Sequence, residues 1–372
     1  MILTPSVSNF KTEAITSKIL LEFFDSGRNI FIGLDENSKS FGRDFIKEFG
    51  AELFPLKSSV TGGDKKNSKS IKGVNDSNLA FSANVFDQIK KTIIDVDSPV
   101  AYKGTGMILD KSNDYVFPIL MGDTDVVTNI PKNSKKKNIN KKDSSITLIA
   151  GYQSRYNQRA VISGSIDMCT DNFISATASG NGHESSSNFQ MCINMLKWNF
   201  QQKSVLKMEN FDHSLVDTSL IESGAQTRQE YKLKDQIQVS LDLFEKVDGK
   251  WVPFKVDDFE LKFIMLNPWN ITTLVNNEGS RYTTQFYVPD WNGVYKFQID
   301  YNKHGLTRLF HEQIAPVRVF NHDEFPKYVP SSYPFYGAVG AIIVGFLIFC
   351  IAYVSTDDTL NGKDKKTKVK QE

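Results

Sequence analysis

The chain has 372 residues, a length that suits two or three domains. Its 44 Lys and Arg residues nearly balance its 43 Asp and Glu residues, and the resulting net charge of +1 argues against nucleic acid as a partner. Hydrophobic residues make up 40% of the chain, which excludes global disorder, and its three Cys residues exclude both a disulfide-rich scaffold and a zinc site made of four cysteines.

The first twenty residues lack the apolar core of a signal peptide. Such a core needs about seven consecutive apolar residues, and Lys11, Glu13 and Lys18 interrupt the run. The topology argued below places the main part of the chain outside the cytoplasm. We therefore expect that the sequence lacks its true N-terminus.

Residues 1–215 alternate strand-like and helix-like patterns. Short apolar runs predict buried strands at Asn29–Leu34, Ser145–Ala150 and Arg159–Ser163. Apolar residues that recur every three or four positions predict two helices, formed by Phe41, Phe45, Ile46 and Phe49 before Gly50, and by Phe189, Cys192, Ile193, Leu196 and Phe200. The alternation predicts an α/β domain with a largely parallel sheet.

Acidic residues follow two of the predicted strands, at the position where open α/β sheets place ligand-binding groups. Asp35 and Glu36 follow the first strand, and Asp167 follows the third. They are interpreted as polar caps of strand ends, and a paired-carboxylate catalytic site is the alternative. Cys169 is interpreted as a small buried side chain rather than as a nucleophile paired with His183. No motif for a metal or a cofactor is present, so neither is expected.

Residues 131–142 form a segment with six Lys and no acidic residue. A nucleic-acid-binding arm or a nuclear signal is the functional reading of such a segment. We interpret it as a solvated loop between strands, because a run of like charge is usually solvated.

Residues 225–320 predict an all-β domain. Phe259, Leu261 and Phe263 alternate with polar residues, and so does the set formed by Tyr295, Phe297, Ile299 and Tyr301. Asp248-Gly249 and Asn292-Gly293 lie between such runs and predict hairpin turns. About 100 residues of short alternating strands are typical of an immunoglobulin-like sandwich.

Two sequons mark candidate N-glycosylation sites at Asn75 and Asn270. Cys169 and Cys192 are able to form a disulfide in an oxidising compartment, although their spacing does not show that they are close.

Residues 333–355 predict a single transmembrane helix. No charged residue occurs between Tyr328 and Thr356, and a helix of about 20 residues spans the hydrocarbon layer of a bilayer. A buried helix of a soluble protein is the alternative. Residues 356–372 contain the five lysines Lys363, Lys365, Lys366, Lys368 and Lys370. The positive-inside rule therefore predicts a cytosolic tail and a type I orientation.

Two features of this anchor suggest partners. Gly337, Gly340, Ala341 and Gly345 form a stripe of small side chains against which another helix can pack, with lipid exposure as the alternative. Lys370 and Lys368 are third and fifth from the end of the printed sequence, in the register of a dilysine signal for retrieval to the endoplasmic reticulum by coat proteins.

Ordered segments from residue 30 to the anchor resemble the family of the 48 kDa subunit of oligosaccharyltransferase. The segments are Ala150–Asp167 with its Gly-Tyr-Gln-Ser-Arg-Tyr-Asn and Ser-Gly-Ser-Ile-Asp elements, Gly249–Phe254, Gly293–Tyr301 and Tyr328–Tyr336. The tail is similar to that of fungal members. The sequence departs from the family pattern in having no signal peptide and no initial strand–helix unit, so we expect that the α/β domain is incomplete.

The resemblance implies a non-catalytic scaffold subunit of the complex that transfers a glycan from dolichyl pyrophosphate to Asn in protein N-glycosylation. It implies a lumenal α/β domain of the glutamine-amidotransferase-like, flavodoxin-like type, without catalytic or cofactor-binding residues. It also implies sister subunits as partners, the catalytic one among them, and anchoring in the lipid of the endoplasmic reticulum membrane. An independent lumenal hydrolase and a single-pass cargo or adhesion receptor are the alternatives.

Overall fold

The computed structural model describes residues 2–3, 15–62, 71–72, 81–85, 92–94, 96, 100–122, 126–129, 146–175, 177–178, 186–216, 230–325 and 330–356. The chain divides into two compact units, Met1–Val317 and Arg318–Glu372. Asn75, segment 131–142, His183, Lys368 and Lys370 lie outside the described residues.

The first part of unit Met1–Val317 is a sheet with accompanying helices. The helices are α1 Ser17–Asp25, α2 Ser40–Lys47, α3 Asp171–Ile174 and α4 Asn188–Asn199. The strands are β1 Ile2–Leu3, β2 Ile30–Gly33, β3 Ala51–Leu53, β4 Ser59–Gly62, β5 Ile71–Lys72, β6 Phe81–Val85, β7 Val100–Tyr102, β8 Met107–Leu109, β9 Val116–Met121, β10 Val126–Asn129, β11 Thr147–Gln153, β12 Arg159–Ser163 and β13 Thr177–Ala178. Nine of them form one sheet in the order β1-β2-β12-β11-β9-β6-β7, with β8 also on β11 and β3 on β8.

The expected strands and helices are present, but the prediction of a largely parallel sheet is wrong. Only the pairs β1–β2 and β2–β12 are parallel, and the other described pairs of this sheet are antiparallel. The connection between β11 and β12 shows the reason, because it runs only from Ser154 to Gln158. A link this short permits a hairpin, whereas a parallel crossover needs roughly a dozen residues.

The sheet buries apolar side chains on both faces. Ala160 and Ile162 of β12 belong to the hydrophobic cluster formed with α1 and α2, whereas Val161 belongs to the cluster formed with α4. Alternate residues of a strand point to opposite faces, so the continuous apolar sequence of β12 follows from helices on both sides. The flavodoxin-like type of this domain stays a prediction.

Helix α4 is where the sequence predicted it, but it turns a different face inward. Its buried apolar residues are Met191, Cys192, Met195 and Trp198. Phe189 and Phe200, which the predicted face included, are exposed. The predicted set missed the buried amide of Asn188, which accepts from Ala101 N at 2.8 Å and donates to Ala101 O at 2.8 Å, and so fixes the helix against β7.

The second part of unit Met1–Val317 consists of two five-stranded antiparallel sheets. Its strands are β14 Val205–Leu215, β15 Tyr231–Lys232, β16 Gln236–Val247, β17 Lys250–Pro253, β18 Glu260–Ile264, β19 Pro268–Thr273, β20 Val275–Glu278, β21 Arg281–Tyr287, β22 Gly293–Tyr301 and β23 Leu309–Arg318. One sheet has the order β14-β16-β21-β20 with β17 also on β16, and the other has the order β15-β23-β22-β18-β19. Strand β14 lies before the predicted boundary at 215 and pairs with β16 of this second part.

The two sheets share one hydrophobic core, to which the predicted residues Leu261, Phe263, Phe297 and Ile299 contribute. The immunoglobulin-like type of the sandwich and the domain boundaries stay predictions. The hairpin at Asp248-Gly249 is confirmed: it joins β16 to β17, and φ is +47° and +82° at these residues.

The hairpin at Asn292-Gly293 was predicted wrongly. The strands on either side of it, β21 and β22, lie in different sheets, so the segment is a connection between sheets. A Cβ atom at Gly293 would come within 2.5 Å of the Met265 sulfur, so a larger residue there would require the flexible Met265 side chain to shift.

Unit Arg318–Glu372 contains a long apolar helix, α5 Tyr333–Ser355, after a short 3-10 helix at Pro330–Ser332. Among the described residues it is the one helix long and apolar enough to cross a membrane, with a mean hydropathy of 2.5 over its most apolar window. None of this window is buried by the protein, which fits a membrane span better than the alternative of a buried soluble helix.

Candidate functional site

The carboxylate that follows β2 is bound within its own loop. Asp35 Oδ1 accepts hydrogen bonds from Asn37 N at 2.9 Å and from Ser38 Oγ at 3.0 Å. This is an Asx turn, which closes the loop after the strand. Asp167 starts a short 3-10 helix after β12 and is exposed. Both arrangements favour the interpretation as strand-end caps.

Cys169 and Cys192 form a disulfide that joins this 3-10 helix to α4. The expectation that Cys169 is a small buried thiol is therefore wrong, since Cys169 is exposed and bonded, and only Cys192 is buried. Cys192 packs with its neighbours Met191 and Met195 in the core, and Cys169 lies at the end of the 3-10 helix that follows β12. Cys350 on α5 is a free cysteine.

The Ser163-Gly164-Ser165 element allows two loops to touch. A Cβ atom at Gly164 would lie 2.2 Å from Thr105 O, so only glycine fits this position. The Ser163 hydroxyl donates to Ser165 O at 2.6 Å, and the Ser165 hydroxyl donates to Lys103 O at 2.5 Å. The serines thus hold the loop after β12 against residues 103–105.

The connection between β22 and β23 fixes the second part of the unit on the first. Four consecutive residues, Gly305–Arg308, form hydrogen bonds with the first part. The contacts are Trp198 Nε1 to Gly305 O at 2.7 Å, Gln153 Nε2 to Leu306 O at 2.7 Å, Arg159 Nη2 to Thr307 Oγ1 at 3.1 Å, and Arg308 N to Asn157 Oδ1 at 2.8 Å. The segment Gly305–Arg308 is called the docking loop below.

Arg159 is a fully buried cation at the centre of this contact. Its guanidinium donates to Trp198 O at 2.9 Å, Lys203 O at 2.9 Å and Ser204 O at 2.7 Å, and lies 5.0 Å from the centre of the Trp198 ring. Burial lowers the pKa of Arg159 to about 9, so the side chain stays charged at neutral pH. One of these carbonyl groups, Trp198 O, lies in the C-terminal turn of α4, where the helix dipole favours a positive charge, and the other two follow the helix.

A cleft of about 370 Å³ opens beside the docking loop. One wall comes from the start of β9 and from the turn after β11, and the other comes from the end of β22 and the segment leading to the docking loop. The residues that line it are Asp114, Tyr115, Phe117, Gln153, Ser154, Arg155, Asp300, Asn302, Lys303, His304 and Arg308.

Three of the charged side chains that line the cleft form ion pairs. Arg308 binds Asp300 through two hydrogen bonds of 2.8 Å, which lower the pKa of the Asp300 carboxyl. Lys303 pairs with Asp258 at 2.5 Å. By contrast, Asp114 and Arg155 are exposed and have neither a hydrogen bond nor an ion pair with any residue that the structure describes. The Arg155 charge also lowers the pKa of Asp300.

Sequence reasoning did not identify this cleft or the contact beside it. The signal available in the sequence was the polar run Gln153-Ser-Arg-Tyr-Asn157 between two buried strands. Gln153 and Asn157 bind the docking loop, and Arg155 lines the cleft. The run carried the family resemblance, but nothing in it indicated its partner, which lies about 150 residues later in the chain.

The remaining predicted sites lie elsewhere. Gly337, Gly340 and Gly345 are on α5, and apart from the helix's own backbone no atom of the described residues lies within 4 Å of a Cβ atom built on any of them. Asn270 lies half-buried in β19, at the edge of its sheet, opposite the buried Phe263. The structure tests neither helix packing nor glycosylation.

Comparison with known proteins covers nearly the whole chain. The family model described as "OST48, N-terminal domain" matches residues 1–202, and that described as "OST48 middle domain" matches residues 219–357. A relative from Arabidopsis thaliana, named as the 48 kDa subunit of dolichyl-diphosphooligosaccharide–protein glycosyltransferase, is 29% identical over 365 residues, which are 95% of this chain and 80% of the relative. Proteins with the same name are 27% identical in Danio rerio, over 95% of this chain and 79% of the relative, and 27% identical in Drosophila melanogaster, over 98% and 82%.

A mostly β-sheet body with a few helices, followed by one apolar helix of membrane-spanning length, defines a membrane-anchored protein. Within that class, the two family models and the three relatives all indicate one family. The chain belongs to the family of the 48 kDa subunit of oligosaccharyltransferase. This confirms the resemblance found in the sequence.

Proposed function

We propose that this protein is a subunit of an oligosaccharyltransferase complex and acts in protein N-glycosylation. The observation that carries the proposal is the match of two family models to residues 1–202 and 219–357, which include the first part, the second part apart from β14, and the apolar helix. The relatives are named as a subunit of an enzyme that joins a dolichyl-diphosphate-linked oligosaccharide to protein.

Affinity isolation of the tagged full chain in mild detergent tests the proposal. We expect the other subunits of the transferase to co-purify in constant proportion, the catalytic subunit among them. Isolation of the chain alone as a monomer contradicts the proposal. The matched control is the same isolation in a denaturing detergent, which separates the subunits.

We further infer that the role is that of a non-catalytic scaffold. The Asp35 carboxylate is bound by its own turn and Cys169 is held in a disulfide, so two residues considered for a hydrolase have structural roles. A hydrolase is expected to lose activity on Asp35→Asn or Asp167→Asn substitution. For the scaffold we expect glycan transfer by the complex to be unaffected by Asp167→Asn.

The scaffold role calls for an exposed surface that other subunits cover. Val294 and Ile314 are each 65% exposed on the neighbouring strands β22 and β23, and Leu266, in the turn beside them, is 90% exposed. Exposed apolar side chains grouped in this way are typical of protein contacts. We expect Val294→Asp to reduce co-purification of a sister subunit without changing the unfolding temperature of the isolated chain. Lys250→Asp, in an exposed hairpin, is the control.

The proposed topology places Met1–Val317 in the lumen of the endoplasmic reticulum and residues 356–372 in the cytosol. The Cys169–Cys192 disulfide supports the lumenal side, because disulfides persist in oxidising compartments. In sealed microsomes we expect a thiol reagent to modify Cys169 only after reduction, and protease to remove only the tail. Modification of Cys169 without reduction contradicts the lumenal assignment.

Retrieval by coat proteins through Lys368 and Lys370 remains part of the proposal. Residues added after Glu372 would shift the two lysines out of the dilysine register, so we expect the protein to reach later compartments. The double substitution Lys363→Ser and Lys365→Ser lowers the positive charge of the tail but leaves Lys368 and Lys370 in register, and it serves as the control.

Glycosylation is tested by Asn75→Gln and Asn270→Gln, with glycosidase-sensitive gel mobility as the readout.

A further inference from the structure

We propose that the cleft beside the docking loop binds a neutral carbohydrate, namely a sugar unit of the glycan that the complex transfers. The choice of a glycan among polar ligands rests on the proposed function, whereas the presence of a binding cleft rests on the geometry alone. The scaffold role requires no such site, so the inference adds direct contact with substrate.

The groups in the cleft match a polyhydroxylated ligand. Asp114 and Arg155 are exposed, opposite in charge and without partners among the described residues, so one can accept from a sugar hydroxyl and the other can donate to one. Asn302 is also exposed and offers both a donor and an acceptor. An anion would meet the charge of Asp114 and a cation would meet that of Arg155, whereas a neutral hydroxyl group can use both.

The cleft also offers flat apolar surface. The Tyr115 ring is 38% exposed at one wall, and the exposed His304 ring of the other wall packs on Phe117 of the first, with 5.2 Å between ring centres. The C–H face of a sugar ring can pack on such rings, while its hydroxyl groups reach the polar side chains around them. The volume of about 370 Å³ is at the lower end of the range for small-molecule sites, which suits a mono- or disaccharide unit.

The committed ion pairs make the site rigid. The paired hydrogen bonds between Arg308 and Asp300 fix one wall, and Arg308 N is bound to Asn157 of the opposite part. Gln153 is 8% exposed at the base of the cleft and donates to Leu306 O, and its Oε1 atom has no partner among the described residues. A site whose walls are already held in place loses less conformational entropy when a ligand binds.

Site-specific crosslinking in the intact complex tests the inference. A photoreactive benzoylphenylalanine replaces Tyr115, and the complex is illuminated with radiolabelled dolichyl-diphosphate oligosaccharide. The control carries the same group at Tyr287, which is 64% exposed and does not line the cleft. We expect label on this chain from position 115 and not from position 287, and competition by a free mannose oligosaccharide.

Three results overturn the inference. They are the absence of label at position 115, crosslinking of position 115 to a sister subunit instead, and competition by inorganic pyrophosphate but not by the free sugar. Co-purification of the chain with the other subunits tests the proposed function independently of these results. A failure of the sugar site can therefore be distinguished from a failure of the proposed function.

Substitution of the two uncommitted charges gives an independent measurement. In Arg155→Gln or Asp114→Asn we expect about tenfold less crosslinking at subsaturating substrate, because each substitution removes a charged partner for a sugar hydroxyl group. Lys250→Gln and Asp257→Asn, which are exposed and outside the cleft, are the matched controls. Equal labelling in cleft variants and controls contradicts the assignment of these residues.

Discussion

At the residue scale, side chains from the turn between β11 and β12 connect the two β-rich parts. Gln153, Asn157 and Arg159 all bind the docking loop, and Arg159 also binds Trp198 O in the last turn of α4 and two carbonyl groups that follow this helix. The guanidinium is the group suited to this place, because its donors form a fixed planar fork that reaches several carbonyl oxygens at once.

Arg159→Gln should destabilise unit Met1–Val317 strongly. The shorter amide cannot reach the carbonyl oxygens of Trp198, Lys203 and Ser204, so the fold loses three hydrogen bonds from a charged donor, each of which contributes about 1.5–3 kcal/mol. We expect a loss of about 3 kcal/mol or more in the free energy of unfolding, measured by urea denaturation of the full chain in detergent. Arg155→Gln, four residues earlier and exposed, should change it by less than about 0.5 kcal/mol. Equal effects of the two substitutions would contradict the role of Arg159.

The ion pair between Asp300 and Arg308 should make the free energy of unfolding depend on pH in the acidic range. The pKa of Asp300 is lower in the folded protein, because Arg308 donates two hydrogen bonds to its carboxylate. The contribution of this ion pair to the free energy of unfolding is therefore complete above the unfolded pKa of about 3.9. It is lost as the pH falls through the pKa of Asp300 in the folded protein. We expect the stability difference between wild type and Asp300→Asn to shrink as urea unfolding is measured at progressively lower pH below about 5. Asp257→Asn, an exposed control, should follow the wild type throughout.

At the element scale, α4 shows where sequence periodicity is sufficient and where it fails. Residues spaced every three or four positions predicted the helix correctly, but several faces of α4 satisfy that spacing because Phe, Ile, Leu and Met residues surround the helix. Asn188 and the disulfide at Cys192 select the observed face, since both attach it to residues before the helix. Neither contact can be predicted from the spacing of apolar residues along the helix.

Alanine substitutions in α4 distinguish the two faces. Met195 is completely buried, so Met195→Ala should cost about 2–5 kcal/mol of unfolding free energy. Phe189 is 55% exposed and belonged to the predicted face, and Phe189→Ala should cost less than about 1 kcal/mol. Thermal and urea unfolding of both variants measure the difference. The reverse order of effects would restore the predicted face.

At the scale of the whole molecule, the chain forms a sheet with helices on both faces, then a pair of antiparallel sheets, and ends in a long apolar helix followed by residues 356–372. Helix α5 has no buried residue, so its packing is left to the lipid or to other chains. Gly337, Ala341 and Gly345 lie close to one line along the helix because residues four apart are one turn apart. This is the surface we propose for contact with a neighbouring helix.

The double substitution Gly337→Leu and Gly345→Leu should weaken assembly of the complex. Large side chains at these positions keep a partner helix away from the backbone, and we expect several-fold less sister subunit after isolation in mild detergent. Cys350→Leu makes a similar change near the opposite face of α5 and should leave the yield unchanged. Equal yields from all three proteins would mean that the small-residue stripe faces lipid.

The sequence predicted more of the fold than of the candidate site. Strands such as Arg159–Ser163 and Gly293–Tyr301 were found because their patterns are local and their residues bury against whatever covers them. Strand direction was predicted wrongly, because the connection from Ser154 to Gln158 is too short for a parallel crossover and permits only a hairpin. The cleft was missed because its walls come from segments near residues 115, 154 and 304, and no short pattern brings them together.

The sequence by itself determined the membrane helix, the alternating strands of the second part and the family. An uncharged apolar run of this length matches the thickness of the hydrocarbon layer, and a helix satisfies its own backbone hydrogen bonds there. Ordered motifs along a chain identify a family without knowledge of their contacts. Only the tertiary structure decided the antiparallel sheet, the inner face of α4, the Cys169–Cys192 bond and the docking of Gly305–Arg308. These features depend on groups far apart in the chain, whose approach is set by the packing of the whole core.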